Sequence, residues 1–384
     1  MLPYGRQSIS NEDIQAVVKV LESDFLTQGP AVPAFEAAVA KKVNARFAVA
    51  ANSATSALHM ACLALGLGPG QSLWTSPISF VASANCARLC GANADFVDID
   101  PETFCMDTQA LADKLHRHKT QGLTMPSVVV PVHLAGQSCD MAGIHALSQQ
   151  YGFKVLEDAS HAIGASYNNE PVGNTRFSDV CVFSFHPVKI ITTGEGGLAT
   201  TNSEELAQRM ARLRTHGITR EPKDMTEASH GPWYYQMLEL GLNYRLTDLQ
   251  AALGLSQLQR LEEFIQVRRD QVKTYHDAFS GYPDVMPQRL PSYALSSHHL
   301  FIVKVPAAQH SHVFSALRHD GIGVNLHYIP IHLQPYYQAL GFKKGDFPQA
   351  EGYYQQAISL PLFPGLSLNN QEHVVSSLLR ALRH

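Results

Sequence analysis

The sequence holds no run of eighteen apolar residues, so no segment reads as a membrane-spanning helix. Its first residues, MLPYGRQSIS, lack the basic and apolar regions of a signal peptide, and a cytoplasmic protein with no membrane partner is expected. There is no basic cluster and no like-charge run, and the formal net charge is −4, which argues against nucleic acid as a partner. The six cysteines contain no CxxC. Cys86 and Cys90 stand four apart on a predicted helix, a spacing that alone makes no zinc site, and all six read as buried free thiols. Histidine is plentiful, at 19, yet no HExxH occurs. The pairs His116/His118, His298/His299 and His310/His312 have no companion cluster of carboxylates or cysteines, so no metal is implied. Repeats and low-complexity tracts are also missing.

What remains is an ordinary soluble composition, 45% hydrophobic and 16% charged over 384 residues, enough chain for two domains and a large core. It is organised around residues 183–197, FSFHPVKIITTGEGG. An apolar run, Val180 to Phe183, reads as a buried strand; Ser184, a Phe-His-Pro turn, Lys189, two threonines and a glycine-rich break follow. A lysine on a solvated turn is the plain reading of such a stretch. A lysine enclosed at a strand end sheds its proton more readily and becomes a nucleophile toward carbonyls. The second reading gains from LEDASH, 156–161, where Asp158 closes another apolar strand, Phe153 to Leu156. A lysine that binds pyridoxal phosphate needs a carboxylate opposite the pyridine nitrogen. Lys189 and Asp158 are 31 residues apart, room for a hairpin and one strand.

Along the chain, Ser10 with Asp13 three residues on resembles a capped helix start, and Ile14, Val17, Val18 and Leu21 follow at helical spacing. Phe47 to Ala50 reads as a strand that runs into Asn52-Ser53-Ala54-Thr55-Ser56 and a helix closed by Gly66. That link puts free N–H groups and hydroxyls at a helix N-terminus, a phosphate site without a glycine-rich loop, although any Ser/Thr cap looks similar. Leu73 to Thr75, Ala94 to Ile99, Val128 to Val132 and Leu198 to Thr201 are further predicted strands, with helices over 107–117, 140–151 and 203–215. This alternation predicts an α/β domain with a mostly parallel sheet, whose ligands gather at the carboxyl ends of the strands. Ser53 to Ser56, Phe80, Asp158, Ser184 and Lys189 all fall there. Phe80 serves either the core or a flat ligand ring. From Leu246 to Phe264 the spacing predicts one long helix leading to a smaller C-terminal domain. In that domain His299 to Val305 and Ile322 to Tyr328 read as strands and 370–382 as a closing amphipathic helix. The stretch from Asn325 to His332 fits a strand end and the edge of a sugar or nucleotide site equally well.

Taken together, LTQGP, NSATSAL, LEDASHA, SFHPVK with TTGEGG, GLNYRLTD and HYIPIH, in that order over nearly the whole chain, resemble the DegT-type sugar aminotransferases. These are pyridoxal-phosphate enzymes of fold type I, the aspartate-aminotransferase fold. The resemblance implies a large cofactor-binding domain over 1–248 and a small α/β domain over 249–384. Lys189 would be the lysine that binds the cofactor, and Asp158 would face the ring nitrogen. Thr55, Ser56 and Ser184 would take the phosphate or other polar atoms of the cofactor, and Phe80 would stack on its ring. His161, which stands where the wider family has glutamine, would also meet the cofactor. Asn243 and Arg245 would reach the site of a neighbouring subunit, which implies a homodimer with shared active sites. Tyr4, Thr27, Gln28, Gly29, Asn325, His327 and Tyr328, with Arg245, would line a nucleotide-sugar site. The SFHPVK and HYIPIH versions look most like the UDP-4-keto-6-deoxy-sugar C4 aminotransferases of pseudaminic acid synthesis, with L-glutamate as donor. Sugar 3-dehydratases on the same fold carry histidine in place of the lysine, so Lys189 speaks against that class, and a non-catalytic binding role would leave the Lys189/Asp158 pair without purpose.

Overall fold

The computed structural model describes residues 1–383. The predicted strands join one seven-stranded sheet: β1 (Phe47–Ala51), β2 (Ser72–Thr75), β3 (Asn93–Phe96), β4 (Val128–Val130), β5 (Lys154–Asp158), β6 (Val180–Ser184) and β7 (Gly197–Thr201). Their order is β1-β7-β6-β5-β4-β2-β3. The pairs from β6 through β3 are parallel, whereas β7 runs antiparallel to both β6 and β1. The sheet is therefore mostly parallel, as expected, with one reversed strand. Every residue of β2, β4, β6 and β7 is buried, the pattern of strands covered on both faces.

The cover comes from helices on each side. α1 (Asn11–Leu21) opens on a capping box in which Ser10 and Asp13 bond each other's backbone. α2 (Ala31–Val43) buries Phe35 and Val39 against Phe183 and Phe185 on one face. α3 (Ala54–Ala64) and α4 (Ala82–Leu89) bury Leu58, Met60 and Ala87 with Leu73 and Val130 on the other. Burial of each large apolar side chain contributes about 1.5–3 kcal/mol, so these two layers hold the sheet in register. α5 (Thr108–Gln121), α6 (Met141–Tyr151) and α7 (Glu204–Leu213) match the remaining predicted helices within a few residues.

The long helix expected from Leu246 is in fact two, α8 (Asp248–Leu258) and α9 (Leu261–Phe279), broken at Gln259–Arg260. At the break Gln257 and Arg260 donate to Asp13 Oδ2, at 2.6 and 2.5 Å, and both also reach the Ser8 carbonyl, which ties α1 down. The apolar spacing that suggested continuity survives because both helices pack on the same core. α9 then spans two cores: Leu261, Phe264 and Ile265 join the large-sheet cluster, and Val272, Tyr275 and Phe279 join that of the C-terminal unit. There an antiparallel sheet of Met286–Pro287, Phe301–Lys304 and Ala357–Leu360 packs under the helices His310–His319 and Leu368–Ala381. The strand expected over 322–328 does not form. Its backbone is divided between two partners, Ile322 bridging Leu2 and Asn325 bridging Ser359. The first residues of the chain thus attach to the C-terminal unit, through Leu2 to Gly321 and Gly323 and through the Tyr4 carbonyl to Leu362.

β7 begins at Gly197, against the first turn of α3. A Cβ on Gly197 would stand 2.4 Å from the Ala54 nitrogen. Gly197→Ala is therefore expected to push α3 off the sheet and lower stability by about 1–3 kcal/mol, the usual range for overpacking. Chemical denaturation checks this; a midpoint equal to that of the parent would show that the contact has slack.

Candidate active site

The carboxyl ends of the strands open into a cavity of about 840 Å³, a size suited to a small-molecule site. Three structural devices meet in its wall. The first is the start of α3. Ser53 caps the helix, its Oγ accepting from the Ser56 N–H at 3.1 Å, and the Ser56 hydroxyl donates to Asn52 Oδ1 at 2.6 Å. Asn52 is held in turn by the Tyr244 carbonyl. The N–H groups of Ala54 and Thr55 belong to the first turn, which a helix leaves without internal partners, and the dipole there favours an anion.

The second device is Asp158, the last residue of β5, nearly fully buried. Its Oδ2 accepts from the Ser83 hydroxyl at 2.5 Å and its Oδ1 from the Ser160 N–H at 3.1 Å. Ser83 is linked onward to Ser79 at 2.6 Å. A carboxylate fixed this way keeps lone pairs for one further donor. The third is the loop between β6 and β7, folded tightly because Thr192 and Thr193 both return to the Phe185 carbonyl. This loop sets Lys189 in the cavity wall. Lys189 is half-buried there. Burial pushes its amine down to about 8, against the opposing pull of the Asp158 charge.

Phe80, 58% exposed, turns its ring into the same cavity. An aromatic ring left that open at a cavity wall offers a stacking face rather than core packing. Tyr4, Asn325, His327 and Tyr328 line the same cavity. His327 shares a 2.8 Å hydrogen bond with Ser359, and burial, with the Lys189 charge, lowers its pKa to about 3.

A flat ring with an anionic group at one end, a basic nitrogen and an aldehyde fits this donor set: α3 for the anion, Phe80 for the face, Asp158 for the nitrogen, Lys189 for the aldehyde. The sequence of residues 7–379 matches the model of the DegT/DnrJ/EryC1/StrS aminotransferase family. The chain belongs to that family. It is 38% identical to the spore coat polysaccharide biosynthesis protein SpsC of Bacillus subtilis, over 98% of this chain and 96% of SpsC. It is 34% identical to the UDP-4-amino-4,6-dideoxy-N-acetyl-beta-L-altrosamine transaminase of Campylobacter jejuni, over 100% and 98% of the two chains. Among solved structures, Helicobacter pylori PseC, an aminotransferase of pseudaminic acid biosynthesis, superposes with a TM-score of 0.89 at 31% identity, covering 100% of this chain and 99% of PseC. The protein is a pyridoxal-phosphate-dependent sugar aminotransferase, and its relatives share the α/β architecture. When bound, pyridoxal phosphate supplies the aldehyde and the electron-accepting ring of transamination.

Of the residues expected at the site, Lys189, Asp158, Thr55, Ser56, Ser184, Phe80, His161, Tyr4, Asn325, His327 and Tyr328 line this one cavity. Thr27, Gln28, Gly29, Asn243 and Arg245 do not line the cavity of their own chain. Thr27 bridges Thr247, the Gly29 N–H donates to Asp248 at 2.8 Å, and Asn243 bridges Thr215. Both ring nitrogens of His161 are engaged by protein, Nδ1 by the Ala135 N–H and Nε2 by the Tyr328 hydroxyl. The sequence alone assigned no individual role to Asn52, Ser79, Ser83, Ser160, His186 or Glu195. Asn52 and Ser160 lie inside the NSATSAL and LEDASHA motifs, and His186 and Glu195 inside the lysine loop, so motif membership was a usable signal for these four. Ser79 and Ser83 carried none.

Because cofactor capture needs the neutral amine, the rate at which cofactor-free enzyme takes up pyridoxal phosphate should rise with pH through about 8 and then level off. Stopped-flow absorbance checks this. Lys189→Ala should show no such covalent phase. A rate flat between pH 7 and 9, or still climbing toward the ordinary lysine range, would count against the assignment.

Proposed function

We propose that this enzyme transfers the amino group of L-glutamate to C4 of a UDP-4-keto-6-deoxy-N-acetylhexosamine, giving UDP-4-amino-4,6-dideoxy-N-acetyl-β-L-altrosamine. The observation that carries the reading is a single cavity whose wall holds Lys189 and Asp158 together with the uncharged polar groups of Tyr4, Asn325, His327 and Tyr328. A sugar bearing a carbonyl can present its ketone to the lysine while its hydroxyls and amide meet neutral donors and acceptors. The name of the Campylobacter jejuni relative, matched from end to end, supports this sugar.

Lys189 acts as base and acid. With the cofactor bound, its Nζ would be the group placed to take up the proton of the donor's α-carbon and to return it. Asp158 would hold the ring nitrogen in its protonated form, the form in which the cofactor supplies an electron-accepting ring. Each pKa unit of that preference corresponds to about 1.4 kcal/mol. The nucleotide, remote from the reacting carbon, contributes binding energy that orients the ketone. A second reading, a different nucleotide-linked keto sugar, draws on the higher identity to a spore coat polysaccharide protein.

The shared homodimer site belongs to the same proposal. Thr27, Gln28 and Asn243 are exposed and outside their own cavity, and large apolar side chains stand uncovered nearby in sequence: Phe25 at 54%, Trp233 at 73% and Leu240 at 80% exposure. Such exposure suits a protein–protein contact. Mixing inactive Lys189→Ala with inactive Asn243→Ala subunits is expected to restore part of the activity, because one site of each heterodimer then has both residues intact. Proven heterodimers without activity would sink the shared site.

Matched UDP- and dTDP-4-keto sugars with glutamate, analysed by mass spectrometry of the products, test the acceptor. The UDP compound should give the higher kcat/KM, chiefly through the ribose 2′-hydroxyl, since the thymine methyl alone is worth only about 1–3 kcal/mol. Equal or better use of the dTDP sugar would overturn the acceptor and leave the aminotransferase in place.

A further inference from the structure

His161 and Tyr328 form a pair whose hydrogen positions follow by elimination. The Ala135 N–H donates to His161 Nδ1 at 3.2 Å, so Nδ1 is the ring's lone-pair nitrogen. A neutral imidazole carries one hydrogen, which here must sit on Nε2. Burial and the Lys189 charge both oppose protonation and keep the ring neutral. Nε2 lies 3.1 Å from the Tyr328 oxygen, so the imidazole donates and the hydroxyl accepts. The Tyr328 hydroxyl makes no other hydrogen bond among the described residues, and the side chain lines the cavity. Its own proton therefore points to whatever occupies that space. Burial also raises the pKa of the hydroxyl, so it remains a donor.

We propose that Tyr328 is a one-way hydrogen-bond donor, oriented by His161, for an oxygen of partial negative charge on the Lys189 side of the cavity. Two oxygens share that chemistry: the ring oxygen of the cofactor and the keto oxygen of the sugar. His161 is then a positioning residue whose ring touches Tyr328 rather than the cofactor. This inference rests on the aminotransferase reading but on no particular sugar; any keto sugar that the enzyme aminates serves as probe.

The test is Tyr328→Phe, which keeps the ring and removes the donor, in holoenzyme. Without substrate, the visible absorbance of the bound cofactor is titrated with pH. If the cofactor oxygen is the acceptor, losing the donor returns negative charge to that oxygen, holds the neighbouring proton more tightly and raises the midpoint by about one unit. If the keto oxygen is the acceptor, the midpoint stays and the sugar half-reaction slows, on the order of 100-fold for one lost donor at a developing charge, while the glutamate half-reaction keeps its rate. His161→Leu should change the same quantity in the same direction by a smaller amount. Added to Tyr328→Phe it should change nothing further, which a merely structural histidine would not satisfy. Should the leucine variant fail to fold, Tyr328→Phe decides alone. An unmoved midpoint together with an unchanged sugar half-reaction overturns the proposal, as does an additive double variant.

Discussion

The contact between Gly197 and the first turn of α3 is the constraint on which the site depends. It joins two pieces of chain remote in sequence, the lysine loop that ends at β7 and the helix start that favours an anion. The reversal of β7 makes this possible. A parallel strand would need its connection to cross back to the other end of the sheet, whereas antiparallel β6 and β7 are joined by the loop 185–196, which stays at the carboxyl end. Lys189 sits in that loop and Asp158 ends the neighbouring strand β5, so three chemical functions are spaced by backbone geometry alone.

Much of this was legible beforehand because short apolar runs mark buried strands and glycine and hydroxyl residues mark their ends. The 31 residues between Asp158 and Lys189, room for a hairpin and one strand, are occupied by the paired Ser166–Tyr167 and Glu170–Pro171, followed by β6. The direction of β7 was not legible, since buried strands carry the same apolar pattern either way. Ser83 was hidden for another reason. It lies inside a helix, where serine reads as an unremarkable small residue, and its bond to Asp158 spans 75 positions. The break between α8 and α9 escaped notice because it depends on Gln257 and Arg260 finding Asp13, more than 240 residues earlier. Thr27, Gln28, Gly29, Asn243 and Arg245 lie outside the cavity of their own chain, and no local residue pattern separates them from those that line it.

Electrostatically the cavity is sparse. Lys189 feels the carboxylate of Asp158, Glu195 also lines the wall, and His161 and His327 are kept from charging by burial and by that same amine. Neutral imidazoles beside a reactive lysine supply hydrogen bonds without competing for its proton. The price is that each must be satisfied locally, and the partners are present: Ala135 and Tyr328 for His161, Asn325 and Ser359 for His327.

The passage of α9 through both cores has a consequence for cooperativity. A single rigid rod whose first turns are buried with Leu261 and Phe264 and whose last turns are buried with Tyr275 and Phe279 transmits the loss of either core to the other. The chain's first residues, stitched to Gly321 and Leu362, close the same circuit from the opposite end. Severing the chain between 248 and 279 would leave both fragments with an exposed apolar face, so the two units rise and fall as one folding unit.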